Sequence, residues 1–310
     1  MSHEFASPAN WTGAELAGRT DWVHEVSTSE PKSIAPLLKQ IQQSLEHGPG
    51  VAMIRGLADE VTDEERAREF FLRVAREVGS PVSQSAAGEL VFSVRDAGFA
   101  ADDPRSRGPN TRKKLSFHTD RCDVIAFLCL QPARAGGENE IVSSVALYHE
   151  IGRRRPDLLA ALMEPYYYQR HNVDLGNDRP YCRQPVFSFH EGHFAASFLR
   201  VLIERAYHNP EIGPMPAVQR EALDFLEAVA AEPAMHHRFT QQPGDILFLN
   251  NWVTFHRRTE FEDHPEQERR RHILRIWMSM PNSRPLHPLF RDNYGATGAG
   301  ELRGGMRSLT

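Results

Sequence analysis

Short segments of β type recur along this chain of 310 residues, and turns rich in Gly and Pro separate them. Their branched and aromatic residues favour strands. The sequence contains no Gly-x-Gly-x-x-Gly or Walker loop and no internal repeat, which disfavours a nucleotide-binding α/β fold. The pattern predicts an antiparallel sandwich or barrel, mainly β with helical decoration. The predicted strands are residues 51–55, 115–120, 124–130, 166–170, 185–190, 245–250 and 272–280.

Two helical patterns lie near the N-terminus. Apolar residues keep helical spacing over residues 33–45, until Gly48 ends the pattern. The run Thr-Asp-Glu-Glu that begins at Thr62 is typical of a capping box, and the helix that follows it should end at Gly79. These two elements predict an N-terminal helical region over about residues 30–80.

The rest of the chain adds two helical insertions and one long loop. Helical spacing of apolar residues returns at about residues 144–163 and 217–231. Residues 97–114 are rich in Gly, Pro and charge without an apolar period, so they predict a loop long enough to serve as a lid. We expect all of these elements to form a single domain over residues 1–310.

Composition and charge restrict the partners of this chain. Lys and Arg number 36 against 41 Asp and Glu, so the formal net charge of −5 provides no basic field for nucleic acid or an anionic membrane. Apolar runs stay far below the ~18 residues of a membrane span. Three cysteines without a Cys-x-x-Cys pair suit reduced thiols. We therefore expect a cytoplasmic protein that binds a small molecule, and the composition indicates no oligomeric state.

A His-x-Asp triplet is the first candidate for chemistry. His118 and Asp120 lie two residues apart in a predicted strand, so their side chains point to one face and can meet at one ion. Such triplets also arise by chance in a chain with 15 histidines and 41 acidic residues, and His-Pro-Glu at residues 264–266 is a second example. The triplet alone does not separate a metal site from chance.

Other motifs follow the triplet in a specific order. A Gly-Gly pair comes next, then a run from Gln242 that leads into Thr-Phe-His at His256, and Arg271 stands fifteen residues later. Each piece is weak by itself, and their combination from about Gly48 to about Met280 resembles the taurine dioxygenase/TfdA family of Fe(II)- and 2-oxoglutarate-dependent oxygenases.

The resemblance implies a fold, a metal site and a reaction. It implies a double-stranded β-helix (jelly roll, cupin-like) core and an Fe(II) ion held by His118, Asp120 and His256. Such a triad leaves three positions for 2-oxoglutarate and O2. The implied reaction oxidises a C–H bond of a small polar, anionic or zwitterionic molecule and releases succinate and CO2. Halogenating relatives lack the acidic ligand, so the carboxylate of Asp120 disfavours halogenation. The resemblance then implies hydroxylation, with desaturation or cyclisation left open.

Three further residues take co-substrate roles through the resemblance. Arg271 matches the arginine that grips the distal carboxylate of 2-oxoglutarate, although it also belongs to a charge run at 266–271 that is typical of a solvated surface. Arg275 matches an arginine that meets the substrate, and contact with the co-substrate or a structural salt bridge are the alternatives. Asn139 stands where the family has a threonine, and its amide can donate the same hydrogen bond.

Polar residues near these motifs are weaker candidates for substrate recognition. They are Gln84, Arg95, Asp123 and the run 170–174, each of which can equally be a solvated loop residue.

Two other functions are compatible with the same residues. A zinc hydrolase could use the three ligands to activate water, and a non-catalytic β-helix domain could bind a ligand without turnover. Arg271 favours the oxygenase over the hydrolase, because hydrolysis needs no clamp for a co-substrate carboxylate.

Overall fold

A computed structural model describes residues 5–26, 34–99, 108–170 and 180–307. In these ranges the α-helices are α1 Gly13–Gly18, α2 Ala35–His47, α3 Glu64–Val78, α4 Ser144–Arg154, α5 Pro156–Met163, α6 Arg200–Tyr207, α7 Ala217–Ala230 and α8 Arg291–Tyr294. The strands are β1 Val23–Glu25, β2 Val51–Arg55, β3 Ser80–Val82, β4 Phe92–Val94, β5 Val124–Gln131, β6 Ala135–Gly136, β7 Asn139–Ser143, β8 Tyr166–Gln169, β9 Tyr181–Gln184, β10 Phe187–His190, β11 His193–Ala196, β12 His236–Phe239, β13 Ile246–Asn250, β14 Thr254–Arg258, β15 Phe261–Glu262 and β16 His272–Ser279.

Two sheets face each other. The major sheet has the order β1-β2-β13-β5-β16-β3, with β4 also paired to β16, and all its pairs except β1–β2 are antiparallel. The minor sheet has the antiparallel order β12-β7-β14. One apolar cluster joins Ile141 of the minor sheet to Leu247 and Trp277 of the major sheet. This arrangement confirms the mainly β fold that the sequence pattern predicts and the double-stranded β-helix core that the resemblance implies.

Alternation along the strands explains how the major sheet is covered on both faces. Leu247 and Leu249 of β13 face the space between the sheets, whereas Ile246 and Phe248 pack with α2 and α3. A strand that is buried on both faces is apolar at every position, because successive side chains point to opposite sides. The apolar runs of β5, β13 and β16 follow from this burial.

Helices cover the outer face of the minor sheet as well. Val142 of β7 and Phe255 of β14 join an apolar cluster that includes residues of α4, α5 and α7. The helices expected near 144–163 and 217–231 are therefore confirmed, the first as two helices that meet at Arg155.

The N-terminal helical region is confirmed, with one correction at the start of α3. Asp63 is the N-cap, with extended backbone, and its carboxylate accepts a hydrogen bond from the Arg66 amide at 2.9 Å. Thr62 has helical dihedrals and its hydroxyl donates to the Asp59 carbonyl at 3.4 Å, so it cannot act as the cap. The predicted capping box is wrong by one residue, because a preceding 3-10 turn over Ala58–Val61 already uses Thr62.

The strand predicted over residues 115–120 is wrong. Only His118 forms a bridge, with His256, and the next residue, Thr119, donates its amide to the Phe198 carbonyl. The segment changes partner within two residues, so no ladder can form. The prediction also missed β7, β12 and β14, whose charged residues interrupt the apolar pattern.

Part of the expected lid lies outside the described residues. Of 97–114, residues 100–107 are not described, and Gly108–Asn110 form a 3-10 turn. The lid and the single domain remain predictions. Within the described residues, no helix is both long enough and apolar enough to cross a membrane.

Candidate active site

A cavity of about 720 Å³ opens between the two sheets. It is lined by all six residues that the resemblance assigns to the metal or the co-substrate, namely His118, Asp120, Asn139, His256, Arg271 and Arg275.

Three potential ligands converge in this cavity. The Nε2 atoms of His118 and His256 lie 3.9 Å and 3.4 Å from Oδ2 of Asp120. One ligand atom from each of the three side chains lies within 4.8 Å of the other two. Two imidazoles and one carboxylate at this separation form a donor set that suits Fe(II).

The two histidines come from segments that are far apart in sequence and joined by backbone hydrogen bonds. His118 and His256 exchange amide-to-carbonyl bonds of 3.0 Å and 3.1 Å. His256 lies inside β14 and faces the major sheet, with its ring 5.6 Å from that of Phe127. Alternation turns its neighbours, Phe255 and Arg257, toward the outer face. The minor sheet thus places one potential ligand, and its bridge to residue 118 places the second potential ligand.

The turn that follows Asp120 is fixed by the protein. The amide of Asp120 donates to Oδ1 of Asn251 at 3.0 Å, and Nδ2 of Asn251 donates to the Cys122 carbonyl at 3.1 Å. The Cys122 amide in turn donates to the Asp120 carbonyl at 2.9 Å. Asn251, which is buried, therefore holds the backbone that carries the carboxylate.

The protonation states suit metal binding. Burial lowers the pKa of His118 to about 4, and the neighbouring His256 adds to the shift. Nδ1 of His118 lies 2.9 Å from the Ser116 carbonyl, which assigns the ring proton to Nδ1 and leaves the Nε2 lone pair for the site. Burial alone would raise the pKa of Asp120, but the positive charge of Arg275 holds it below its usual range.

Unpartnered polar atoms test whether the triad fits a metal ion. Oδ2 of Asp120 and Nδ1 of His256 are buried without a hydrogen-bond partner among the described residues. A buried polar atom without a partner costs about 1–3 kcal/mol, so a native site of this kind calls for an ion or ligand. The carboxylate oxygen that needs a partner is the one both histidines face, so the residues fit a divalent ion.

Arg271 has the properties of a carboxylate clamp. Its side chain is buried, its guanidinium lies 5.2 Å from the Phe261 ring centre, and Nη1 has no hydrogen-bond partner among the described residues. Burial lowers its pKa to about 10, which still leaves it charged at neutral pH. Gly137 has φ of +74°, and a β-carbon there would lie 3.4 Å from Nε of Arg271. Glycine at this position permits the left-handed backbone that lies beside the guanidinium.

Arg258 is a cavity residue that the sequence prediction missed. It lies on the same face of β14 as His256, two residues away. Burial, followed by the charge of Arg271, lowers its pKa to about 9. Two guanidiniums therefore occupy one end of the cavity. Period-two alternation would have indicated Arg258 had β14 been predicted as a strand.

Arg275 is held by the protein rather than left unbound. Its Nε donates to Oε1 of Gln84 at 2.7 Å, and Nη1 lies 3.4 Å from Oδ1 of Asp120. Its guanidinium lies 5.0 Å from the Trp277 ring centre. Of the alternatives for Arg275, a salt bridge to the triad carboxylate is the contact that the structure contains. Arg271 itself precedes β16, so the two arginines do not share one regular strand.

The remaining polar candidates differ in whether they line the cavity. Gln84 lines the cavity and orients Arg275, and Asn139 also lines it, with Nδ2 donating to Oε1 of Gln241 at 3.2 Å. Asp123 is fully buried in an ion pair with Arg303, so it cannot contact a substrate in this structure.

Arg95 and the run 170–174 have different outcomes. Arg95 is exposed and does not line the cavity. Of the run 170–174, Arg170 lines the cavity, and residues 171–174 lie outside the described part of the chain.

Comparisons with known proteins agree with this geometry. The sequence matches the family described as "Taurine catabolism dioxygenase TauD, TfdA family" over residues 9–277. It is 29% identical over 272 residues to FR-33289 synthase of Streptomyces rubellomurinus, covering 86% of this chain and 80% of that protein. A uridine-5'-phosphate dioxygenase of a Streptomyces species is 25% identical over 171 residues, covering 52% of this chain and 60% of the relative.

A solved structure shares the fold. Asparagine oxygenase in complex with Fe(II), 2S,3S-3-hydroxyasparagine and succinate superposes with a TM-score of 0.61 at 18% identity. The match covers 90% of this chain and 99% of the asparagine oxygenase chain. At this identity the likeness shows the fold alone, and it agrees with the two facing sheets described above.

Proposed function

This chain belongs to the TauD/TfdA family of Fe(II)- and 2-oxoglutarate-dependent dioxygenases, and from that premise we propose that it hydroxylates a small anionic or zwitterionic molecule. The observation that carries the proposal is the convergence of His118, Asp120 and His256 in one cavity with the unpartnered guanidinium of Arg271. A hydrolase does not require that guanidinium, and a binding module without turnover does not require the three converging metal ligands.

We infer that His118, Asp120 and His256 hold the iron. When bound, Fe(II) with 2-oxoglutarate supplies the activation of O2 for oxidation of a C–H bond. The protein keeps His118 neutral by burial and Asp120 ionised through Arg275, so no proton has to leave the ligands near neutral pH. The hydrogen bond from Nδ1 of His118 to Ser116 fixes the direction of the ring.

We assign Arg271 to the distal carboxylate of 2-oxoglutarate. A guanidinium presents a planar pair of donors that fixes the orientation of a carboxylate, and Nη1 of Arg271 lacks a described partner. Arg258 adds a second positive charge at this end of the cavity and strengthens the field there. Asn139 lies in the cavity wall with its amide directed to Gln241, so its role would be to shape this wall.

The charge of the cavity wall supports an anionic or zwitterionic substrate. Lys113, Lys114 and Arg205 line the cavity with exposed side chains, in addition to the buried arginines. Electrostatic attraction to such a wall favours a negatively charged ligand. The relative named uridine-5'-phosphate dioxygenase acts, by its name, on a phosphate ester. Arg275 stands beside the triad, where it can meet the acidic group of a substrate by exchanging its contact with Asp120.

Anaerobic titration of the apoprotein with Fe(II) and 2-oxoglutarate tests the proposal. We expect a weak visible charge-transfer band on addition of both. His118→Ala and His256→Ala should abolish the band, since each removes one of three ligands. Arg271→Met should retain it but require at least tenfold more 2-oxoglutarate, because a charge-assisted hydrogen bond contributes roughly 1.5–3 kcal/mol.

A matched control uses Arg134, which is half-exposed and paired with Glu262 on the surface. Arg134→Met should leave the titration unchanged. Absence of the band in the wild-type protein, or normal 2-oxoglutarate affinity in Arg271→Met, contradicts the assignment. Substrate-stimulated succinate release across phosphate esters, sulfonates and amino acids then identifies the substrate class.

A further inference from the structure

The last described residues of the chain return to the cavity. Met306 lines it, and the Met306 amide donates to the Ser83 carbonyl at 2.8 Å. The Gly305 amide donates to the Arg121 carbonyl at 2.7 Å. The family match ends at residue 277, so this segment lies beyond the part of the chain that the family defines. These two bonds are made to the two loops that carry Asp120 and Gln84.

Arg303 anchors this segment in the protein interior. Its side chain has 0% exposure, and that of Asp123, to which Nε donates at 2.6 Å, has 1%. Nη2 and Nη1 donate to the carbonyls of Arg284 and Gly298 at 2.8 Å and 3.2 Å. Each of the three guanidinium nitrogens therefore donates a hydrogen bond, and these bonds together with the ion pair fix the position of the side chain.

Asp123 also accepts hydrogen bonds from other elements around its ion pair with Arg303. Its Oδ1 also accepts from Nε1 of Trp252 at 2.8 Å, and its Oδ2 accepts from the Met280 amide at 2.8 Å. Its backbone carbonyl accepts from the amide of Asn251, whose side chain bonds the amide of Asp120. The carboxylate of Asp123 therefore connects Arg303 to the turn that presents Asp120.

Two glycines let the segment lie directly on the loops that carry Asp120 and Gln84. Gly304 and Gly305 have φ of +78° and +70°. A β-carbon at Gly304 would lie 2.7 Å from the Arg121 carbonyl oxygen, and one at Gly305 would lie 2.8 Å from Cβ of Val82. Both positions need the left-handed backbone and the missing side chain, so the close approach is built into the sequence.

We propose that residues 303–306 are a latch on the active site and that Arg303 is a positioning residue for Asp120. The latch bonds Arg121 on one loop and Ser83 on the other, and Ser83 precedes the Gln84 that orients Arg275. It fixes the distance between the triad carboxylate and Arg275. This inference rests on the proposed role of Asp120 as an iron ligand.

Metal affinity of the Arg303→Met variant tests the latch. Co(II) serves as the probe, because its visible absorption reports coordination without turnover. We expect the dissociation constant for Co(II) to rise by about tenfold or more, as is typical when a residue that orients a ligand is removed. Arg303→Lys should recover part of this loss, since it keeps the charge but not the fork.

Arg284→Met is the matched control for loss of a buried ion pair. Arg284 is paired with Glu46 and bonds the Phe194 carbonyl, and these side-chain contacts lie outside the Asp120 loop. We expect it to lower the unfolding temperature as Arg303→Met does while leaving Co(II) affinity unchanged. A folded Arg303→Met protein that binds Co(II) like the wild type overturns the latch.

A second variant covers the case in which Arg303→Met does not fold. Gly305→Ala should lift the segment from Ser83 without removing a charge and should weaken Co(II) binding, and unchanged binding overturns the latch. Gly192→Ala is its control, because Gly192 has φ of +80° and open space around it. Failure of the wild type to bind Co(II) through His118 and His256 would instead refute the proposed function.

Discussion

At the scale of single residues, hydrogen bonding separates two arginines that look alike in the sequence. Arg275 is bonded to Gln84 and lies 3.4 Å from Asp120. Arg271 is more deeply buried, and its Nη1 has no hydrogen-bond partner among the described residues. Since an unmet buried donor costs about 1–3 kcal/mol, Arg271 is the one that gains most from a carboxylate ligand.

The N-cap of α3 gives a prediction at this scale. Asp63→Ala should lower the free energy of unfolding by about 1 kcal/mol, because the Arg66 amide loses its acceptor. Thr62→Ala is the control and should change it by less than about 0.5 kcal/mol. Urea unfolding of both variants measures the difference. A larger loss of unfolding free energy in Thr62→Ala than in Asp63→Ala would support the capping box that the sequence predicts.

At the scale of elements, one carboxylate on β7 links all three strands of the minor sheet. Glu140 has no exposed side-chain surface and accepts hydrogen bonds from Arg238 on β12 and Arg257 on β14. The guanidinium of Arg257 also lies 4.1 Å from the Phe117 ring centre, next to His118. This charged network on the outer face supports the strand that carries His256.

The pH dependence of stability follows from Glu140. Burial alone would raise its pKa, but the hydrogen bonds from Arg257 and Arg238 lower it below the ordinary value of 4.5. A lowered pKa in the folded state contributes stability above the ordinary value and loses it as pH falls through the folded value. Glu140→Gln should therefore destabilise the protein by about 3 kcal/mol at pH 7 and by progressively less below pH 4.5.

Denaturant unfolding across this pH range measures the effect. Glu262→Gln is the control, because the Glu262 ion pair with Arg134 is exposed and should contribute less than about 1 kcal/mol. A stability difference for Glu140→Gln that stays constant with pH would argue against the paired carboxylate.

At the scale of the whole molecule, the fold is a series of layers with the cavity inside. Helices α2 and α3 cover the major sheet, helices α4, α5 and α7 cover the minor sheet, and the space between the sheets holds both an apolar cluster and the candidate site. Ligands that bind between the sheets should therefore stabilise the complete fold.

Thermal unfolding measures this coupling. Ligands at about 100 times their dissociation constant stabilise by about 2.7 kcal/mol, which should raise the unfolding temperature by about 5 °C for a chain of this size. Co(II) and 2-oxoglutarate should each contribute to the rise. In Arg271→Met, Co(II) should still raise the unfolding temperature, whereas the rise caused by 2-oxoglutarate should be mostly lost. An unchanged rise with 2-oxoglutarate would contradict the assignment of Arg271 to its carboxylate.

Sequence and structure contributed different parts of this picture. The helices α2, α3, α4 and α7 and the strands β5, β13 and β16 follow from the sequence, because periodicity and burial act over a few neighbouring residues. The order of motifs indicated the family and the candidate ligands His118, Asp120 and His256, whose roles remain predictions.

Only the tertiary structure decided which residues meet. The sequence suggested Asp123 for substrate recognition, whereas its partner is Arg303, 180 residues away. Arg258, the contact of Gln84 with Arg275 and the latch depend on the same kind of long-range pairing. Local patterns determine the type of an element, but the identity of a partner depends on how the chain returns to itself, which no local pattern encodes.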